Sequence, residues 1–206
     1  MESLLGFDIN TIIQTTGLLG VFAVVFAESG LFFGFFLPGD SLLFTAGFLA
    51  SQGVFPIVFL MVGCTAAAIF GDNVGYAFGN SVGKKIFTRD HSFFFRKHHL
   101  EHAKNFYEKY GAKTIVMSRF LPVIRSFAPI VAGAVDMDYR TFLYYNVVGG
   151  VLWALGLTGL GYALGSLIPN VDHYLLPLIG AIIIISFLPP VIHILIERRK
   201  KHRERA

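Results

Sequence analysis

A single cysteine, Cys64, excludes an intrachain disulfide and any cysteine-based metal cluster, and it is expected to pack as a small apolar residue. Charge is scarce as well, at 15% of residues against 54% hydrophobic ones, with a mean hydropathy of +0.64. A soluble domain of 206 residues could not bury that much apolar surface, so the chain is expected in a bilayer. There is no serine nucleophile elbow, phosphate-binding P-loop or paired-histidine phosphatase pattern, so enzyme activity is not expected and no cofactor is called for. No recognition module accompanies the net charge of +4, which argues against nucleic acid as a partner. The start, MESLLGFDIN, has Glu2 and Asp8 where a secretory signal carries Lys or Arg, so the first apolar stretch is expected to stay in the mature fold.

What is present is a single membrane domain over 1–206 built from five apolar regions. Three can span: 54–83 with Asp72 as its only acid, 142–167 without charge, and 174–196 with His193 near its end. Each exceeds the roughly 20 residues a helix needs to cross the hydrocarbon core. The regions 11–50 and 114–135 differ, the first holding Glu28 and Asp40 around FFGFFLPGD, the second Arg119 and Arg125 with Pro122 and Pro129. A charge at a helix centre costs roughly 3 kcal/mol on the insertion scale, and an interior proline removes a backbone hydrogen bond. Both regions are therefore expected to be broken.

Charge parity orients them. The segment 84–113 carries eight Lys or Arg against three acids, and the tail 197–206 six against two, so both are expected in the cytoplasm. Since 142–167 and 174–196 already return the chain to its starting side, 114–135 must enter and leave by the cytoplasmic face as a re-entrant hairpin. By the same logic 11–50 dips in from the outer face. The segment 84–113 itself reads as a basic amphipathic surface helix. Its His98, His99 and His102 imitate a metal pair at i, i+4 but lack a third ligand.

An internal repeat supports the arrangement. Phe36-Leu37-Pro38 followed by Asp40 and Ala46-Gly47 resembles Phe120-Leu121-Pro122 followed by Arg125 and Ala132-Gly133, and Gly75-Tyr76-Ala77-Phe78-Gly79 resembles Gly161-Tyr162-Ala163-Leu164-Gly165. The offsets, 84 and 86 residues, agree. The expected fold is an all-α polytopic membrane protein, an inverted repeat of re-entrant hairpin plus transmembrane helix with an extra C-terminal transmembrane helix, a transporter-like plan. Gly71, Gly75, Gly79 and Gly83 form a bare stripe for close helix approach, within the monomer or in a homodimer.

Arg119 and Arg125 offer permanently charged forks that match phosphate oxygens, and Pro122 between them would let both converge at the hairpin tip. The bland alternative is an arginine snorkelling to the headgroups. Glu28 and Asp40 read as proton carriers, because an unpaired carboxylate in an apolar site favours its neutral form. Against that stand a static ion pair with the arginines, or Asp40 as a helix N-cap after Pro38-Gly39. Asp72, Asn73 and Asn146 are supporting polar residues, and Trp153, Tyr144 and Tyr145 read as packing or interface aromatics.

Glu28 ahead of Phe36-Leu37-Pro38-Gly39-Asp40, Gly71-Asp72-Asn73 with Gly75-Tyr76, Arg119-Phe120-Leu121-Pro122 with Arg125, then Ala132-Gly133, Phe142, Asn146 and Trp153 together resemble the bacterial DedA family. The resemblance runs from about Gly17 to the basic tail. It implies the VTT (SNARE-associated) domain shared with eukaryotic lipid scramblases, an inner-membrane location with two opposed re-entrant hairpins, and a cytoplasmic C-terminus. It also implies return of undecaprenyl phosphate between leaflets, or movement of phospholipids, driven by the proton-motive force. On this chain the implied acid pair is Glu28 and Asp40, and the arginine pair Arg119 and Arg125. The expectation is a proton-coupled lipid flippase, with a proton/cation antiporter and a lipid-phosphate phosphatase as alternatives from other classes.

Overall fold

The computed structural model describes residues 9–31, 34, 37–83, 107 and 110–167. The expected span 174–196, the tail 197–206 and nearly all of 84–113, including His98, His99 and His102, lie outside the described residues. Six α-helices carry the rest, with no strand among the described residues: α1 (Ile9–Gly30), α2 (Gly39–Ser51), α3 (Ile57–Phe78), α4 (Lys113–Ser118), α5 (Pro122–Ala134) and α6 (Tyr139–Leu167). A π-helical turn, Gly79–Gly83, continues α3.

The boundaries follow local chemistry. Pro38 and Pro56 precede α2 and α3, and Pro122 opens α5 after an extended Leu121, the conformation that a following proline imposes. Gly53 ends α2 at φ +79°, in the left-handed region open to glycine, while its N–H reaches back to the Ala50 carbonyl. Asp138 starts α6 by accepting 2.9 Å hydrogen bonds from the Thr141 N–H and hydroxyl.

Lengths divide the helices. The stretches 57–82 and 139–167 are long and apolar enough to cross a membrane. With 13 residues each, α2 and α5 extend only about 20 Å, short of a hydrocarbon core. By contrast α1 has 22 residues, about 33 Å, more than the arm of a shallow hairpin needs. The α4–α5 pair is the broken region foreseen at 114–135, interrupted at 119–121.

Packing is reciprocal between the two halves. Helices α1 and α4 each lie against the long helix that follows them, α3 and α6; α2 and α5 cross over, α2 onto α6 and α5 onto α3; and α3 packs on α6. Glycine makes the crossings possible: a Cβ at Gly47 would overlap the Thr158 carbonyl of α6, and one at Gly133 the Tyr76 carbonyl of α3. The stripe on α3 is consumed inside the chain, Gly71 against Gly30 and Phe26 of α1, Gly79 against Ile130 of α5.

A core of Leu18, Val25, Leu43, Leu60, Cys64 and Ala154 fills the space between α1, α2, α3 and α6. Tyr76, stacked on Phe142 at 4.5 Å, anchors a smaller cluster with Ile115 and Ala132. Tyr107 donates to the Ala128 carbonyl at 3.2 Å, and burial pushes its phenol above the usual range. The outer faces are apolar: Val58, Phe59, Val62 and Phe70 on α3, Leu152 and Leu160 on α6, all exposed. Such a surface suits lipid better than water.

Candidate functional site

The broken regions meet in the middle of the molecule and place two arginines in two separate settings. Arg125, in the first turn of α5, reaches across the interface: Nη2 pairs with Glu28 Oε1 near the C-terminus of α1, and Nη1 with Asp40 Oδ1 in the first turn of α2. One guanidinium fork thus ties together three helices. Ser126, next in sequence, donates to the Glu28 carbonyl at 3.2 Å. Asp40 and Arg125 stand 85 residues apart in the chain and meet face to face.

This basket is closed on one side and open on the other. The Glu28 side chain is 1% exposed and that of Arg125 9%, but that of Asp40 is 43% exposed. Gly39 makes the closed side possible, since a Cβ there would overlap the Glu28 carboxyl. Among the described residues, the second Glu28 oxygen, Oε2, and the Arg125 Nε have no hydrogen-bond partner. Trp153, from the middle of α6, completes the wall: its indole N–H donates to Asp40 Oδ1 at 2.7 Å, and its ring lies 5.2 Å from the Arg125 guanidinium carbon.

Arg119 occupies a different setting. At the end of α4 it is 4% exposed, and its Nη2 pairs with Asp72 of α3, itself 5% exposed at the side chain, and with Asn146 Oδ1 of α6. Asn146 in turn donates to the Ile69 carbonyl at 3.2 Å, fixing the amide. A Cβ at Gly149 would come within 2.9 Å of Arg119 Cδ, so the Gly149-Gly150 step on α6 is the lane that admits this side chain. The result joins α3, α4 and α6 through a buried polar cluster in which the Arg119 Nε has no hydrogen-bond partner among the described residues.

Several sequence readings change as a consequence. The arginines do not share a partner, because the extended Leu121 redirects the chain between them. Arg119 does not snorkel; it is buried and paired. Asp40 is not the N-cap of α2: Pro38 holds that position, and the Asp40 carboxylate is turned to Arg125 and Trp153. Asn73 faces away from both arginines, donating to the Ile69 carbonyl at 2.7 Å and accepting from Tyr139 at 2.9 Å on the surface. Pro38 and Pro122 set the starts of α2 and α5, which carry Asp40 and Arg125. Trp153, read from the sequence as a packing or interface aromatic, proves to be a polar partner of Asp40, and Gly149-Gly150 escaped the sequence reading. The available signal was that one buried tryptophan must find an acceptor and that paired glycines mid-span invite a bulky neighbour.

The described residues are all-helical or loop, with two helices long and apolar enough to cross a membrane and paired charges buried between short broken ones. Comparison with known proteins names the chain's kind. The VTT domain matches residues 37–163. The chain is 46% identical over 188 residues to Protein DedA of Escherichia coli strain K12, covering 89% of this chain and 84% of that one. It is 41% identical over 169 residues to an uncharacterized membrane protein of Mycobacterium leprae, covering 82% and 75%. It is 33% identical over 148 residues to the inner membrane protein YqjA of Escherichia coli strain K12, covering 71% and 66%. No solved structure matches it. The chain belongs to the DedA family.

Proposed function

We propose that this protein moves a phosphate-bearing lipid between the leaflets of a bacterial inner membrane, with undecaprenyl phosphate as the first candidate and phospholipid as the second, and that protons drive the exchange. The observation that carries the reading is the half-open basket in which one guanidinium faces two carboxylates. With both acids ionised the basket is net negative and repels a phosphate. One proton makes it neutral, and two leave Arg125 as an uncompensated cation beside the exposed Asp40. A lipid phosphate arriving from that side replaces the carboxylates as the fork's partner, while its tails remain in hydrocarbon. Loss of the protons restores the ion pairs and expels the phosphate.

The two-sided plan supports the same reading. The short α2 and α5, crossing over onto the long helix of the opposite half, suit opposed re-entrant hairpins, one from each face, in an inverted repeat. On that plan the basic C-terminus is cytoplasmic. Arg119 serves the site from the side, holding α4 to α3 and α6 so that α5 presents Arg125. Asp72 and Asn146 are its partners in that role.

The test is leaflet-resolved transport of labelled undecaprenyl phosphate and phospholipid in proteoliposomes, with and without a pH gradient. Gradient-dependent movement of the lipid phosphate that vanishes in Glu28→Gln and Asp40→Asn is expected. Transport that persists unchanged in both variants sinks the coupling, and ion exchange in vesicles lacking any anionic carrier lipid would favour an antiporter instead.

A further inference from the structure

We propose that Trp153 is a positioning residue of the exchange site, seating the Arg125 guanidinium on its ring and holding the Asp40 carboxyl group through its indole N–H when the arginine turns to phosphate. This rests on the translocase reading and adds a residue and a step to it. Three observations carry it. Trp153 is 4% exposed at the middle of α6, where a buried indole N–H requires an acceptor. That acceptor is Asp40 Oδ1, the same oxygen that takes Arg125 Nη1. The ring lies within cation–π range of the same guanidinium.

The geometry therefore makes a triangle in which each member touches the other two. When a phosphate draws the fork away, the protonated Asp40 keeps the indole N–H on its acceptor oxygen, so the carboxyl group stays aimed at the place to which Arg125 must return. The ring offers the guanidinium a surface that is neither carboxylate nor phosphate, which lets the cation change partners without crossing bare hydrocarbon. A tryptophan placed only to fill volume would need the ring and not the N–H.

Trp153 is also the only tryptophan in the chain, so its emission reports on this triangle alone. The experiment titrates the full-length detergent-solubilised protein with dodecyl phosphate, dodecanol and inorganic phosphate while recording tryptophan emission. In parallel, leaflet-resolved transport is measured for wild type, Trp153→Phe and Trp153→Leu. The expected result is a saturable emission change with dodecyl phosphate, none with dodecanol, and none in Arg125→Gln. A response to inorganic phosphate as well assigns recognition to the phosphate group; a response to dodecyl phosphate alone adds the chain to it, and both support the proposal. Trp153→Phe, which keeps a ring and loses the N–H, is expected to lower the maximal transport rate about tenfold, the worth of one hydrogen bond. Trp153→Leu, which loses both, falls further. Wild-type transport accompanied by a silent tryptophan, or a Trp153→Phe protein with the wild-type rate, would overturn the Trp153 assignment and leave the translocase reading standing. A wild-type protein that moves no lipid phosphate would overturn both.

Discussion

The two arginines of the broken α4–α5 region share a residue type and a helix pair, yet their settings differ in charge balance and exposure. Arg119 has one acid, one amide and no open side: the charges balance, and Asn146 is itself tied to the Ile69 carbonyl. Arg125 has two acids and one open side, so its charges balance only when a proton is added, and Asp40 is reachable from outside. A matched, sealed pair is a bolt. A mismatched, half-open one suits the partner exchange proposed for Arg125. Burial and charge count, more than the identity of the arginine, separate a structural ion pair from a working one.

The comparison is broken most forcefully by removing one half of the bolt. Asp72→Ala or Arg119→Ala leaves a lone buried charge, which is expected to cost about 3–5 kcal/mol and to show as a collapsed melting temperature in detergent. The doubly neutral Arg119→Gln, Asp72→Asn protein is expected to recover much of that loss, because two amides can still bond each other and Asn146. Arg125→Gln should do the reverse, leaving a folded protein that has lost transport. Because the two acids are expected to take up protons once their cation is gone, the stability cost should stay at about 1–3 kcal/mol by thermal melting.

A smaller effect sharpens the closed side of the basket. Gly39→Ala pushes a methyl group into the Glu28 carboxyl, and an overpacked site of this kind is expected to cost about 1–3 kcal/mol, again by thermal melting, with transport impaired alongside. The corresponding Gly53→Ala change, far from the basket, strains only the positive-φ turn after α2 and should leave transport intact. Smallest of all is Asp138, whose carboxyl is held below its usual value of 3.8 chiefly by the Thr141 N–H. A carboxyl lowered in the folded state stabilises above that usual value, and the contribution is lost as pH falls through the lowered one. The gap in melting temperature between wild type and Asp138→Ala should therefore be constant at neutral pH and close only in acid below 3.8.

Much of this plan was legible beforehand, for physical reasons. The apolar runs at 54–83 and 142–167 became α3 and α6 because length and hydropathy decide such helices with little help from context. The prolines at 38 and 122 marked the helix starts that carry Asp40 and Arg125, since a missing N–H acts locally. The partnering was not legible. Whether Arg119 meets Asp72 or Glu28 depends on how α4 docks against α3 and α6, which the Gly149-Gly150 step decides from 30 residues away. The hydrogen bond of Trp153 was hidden for the same reason: its acceptor lies 113 residues upstream, and an aromatic in an apolar run resembles packing until the fold brings the acid to it.

The central claim is that Arg125 exchanges partners while Arg119 does not. The most direct measurement is leaflet-resolved transport of labelled undecaprenyl phosphate by two folded proteins in proteoliposomes, Arg125→Gln and the double variant Arg119→Gln, Asp72→Asn. The account predicts background transport for the first and, for the second, a rate within about tenfold of wild type, the scale of one altered hydrogen bond. Background rates for both, with both proteins folded, or the opposite order, would contradict it.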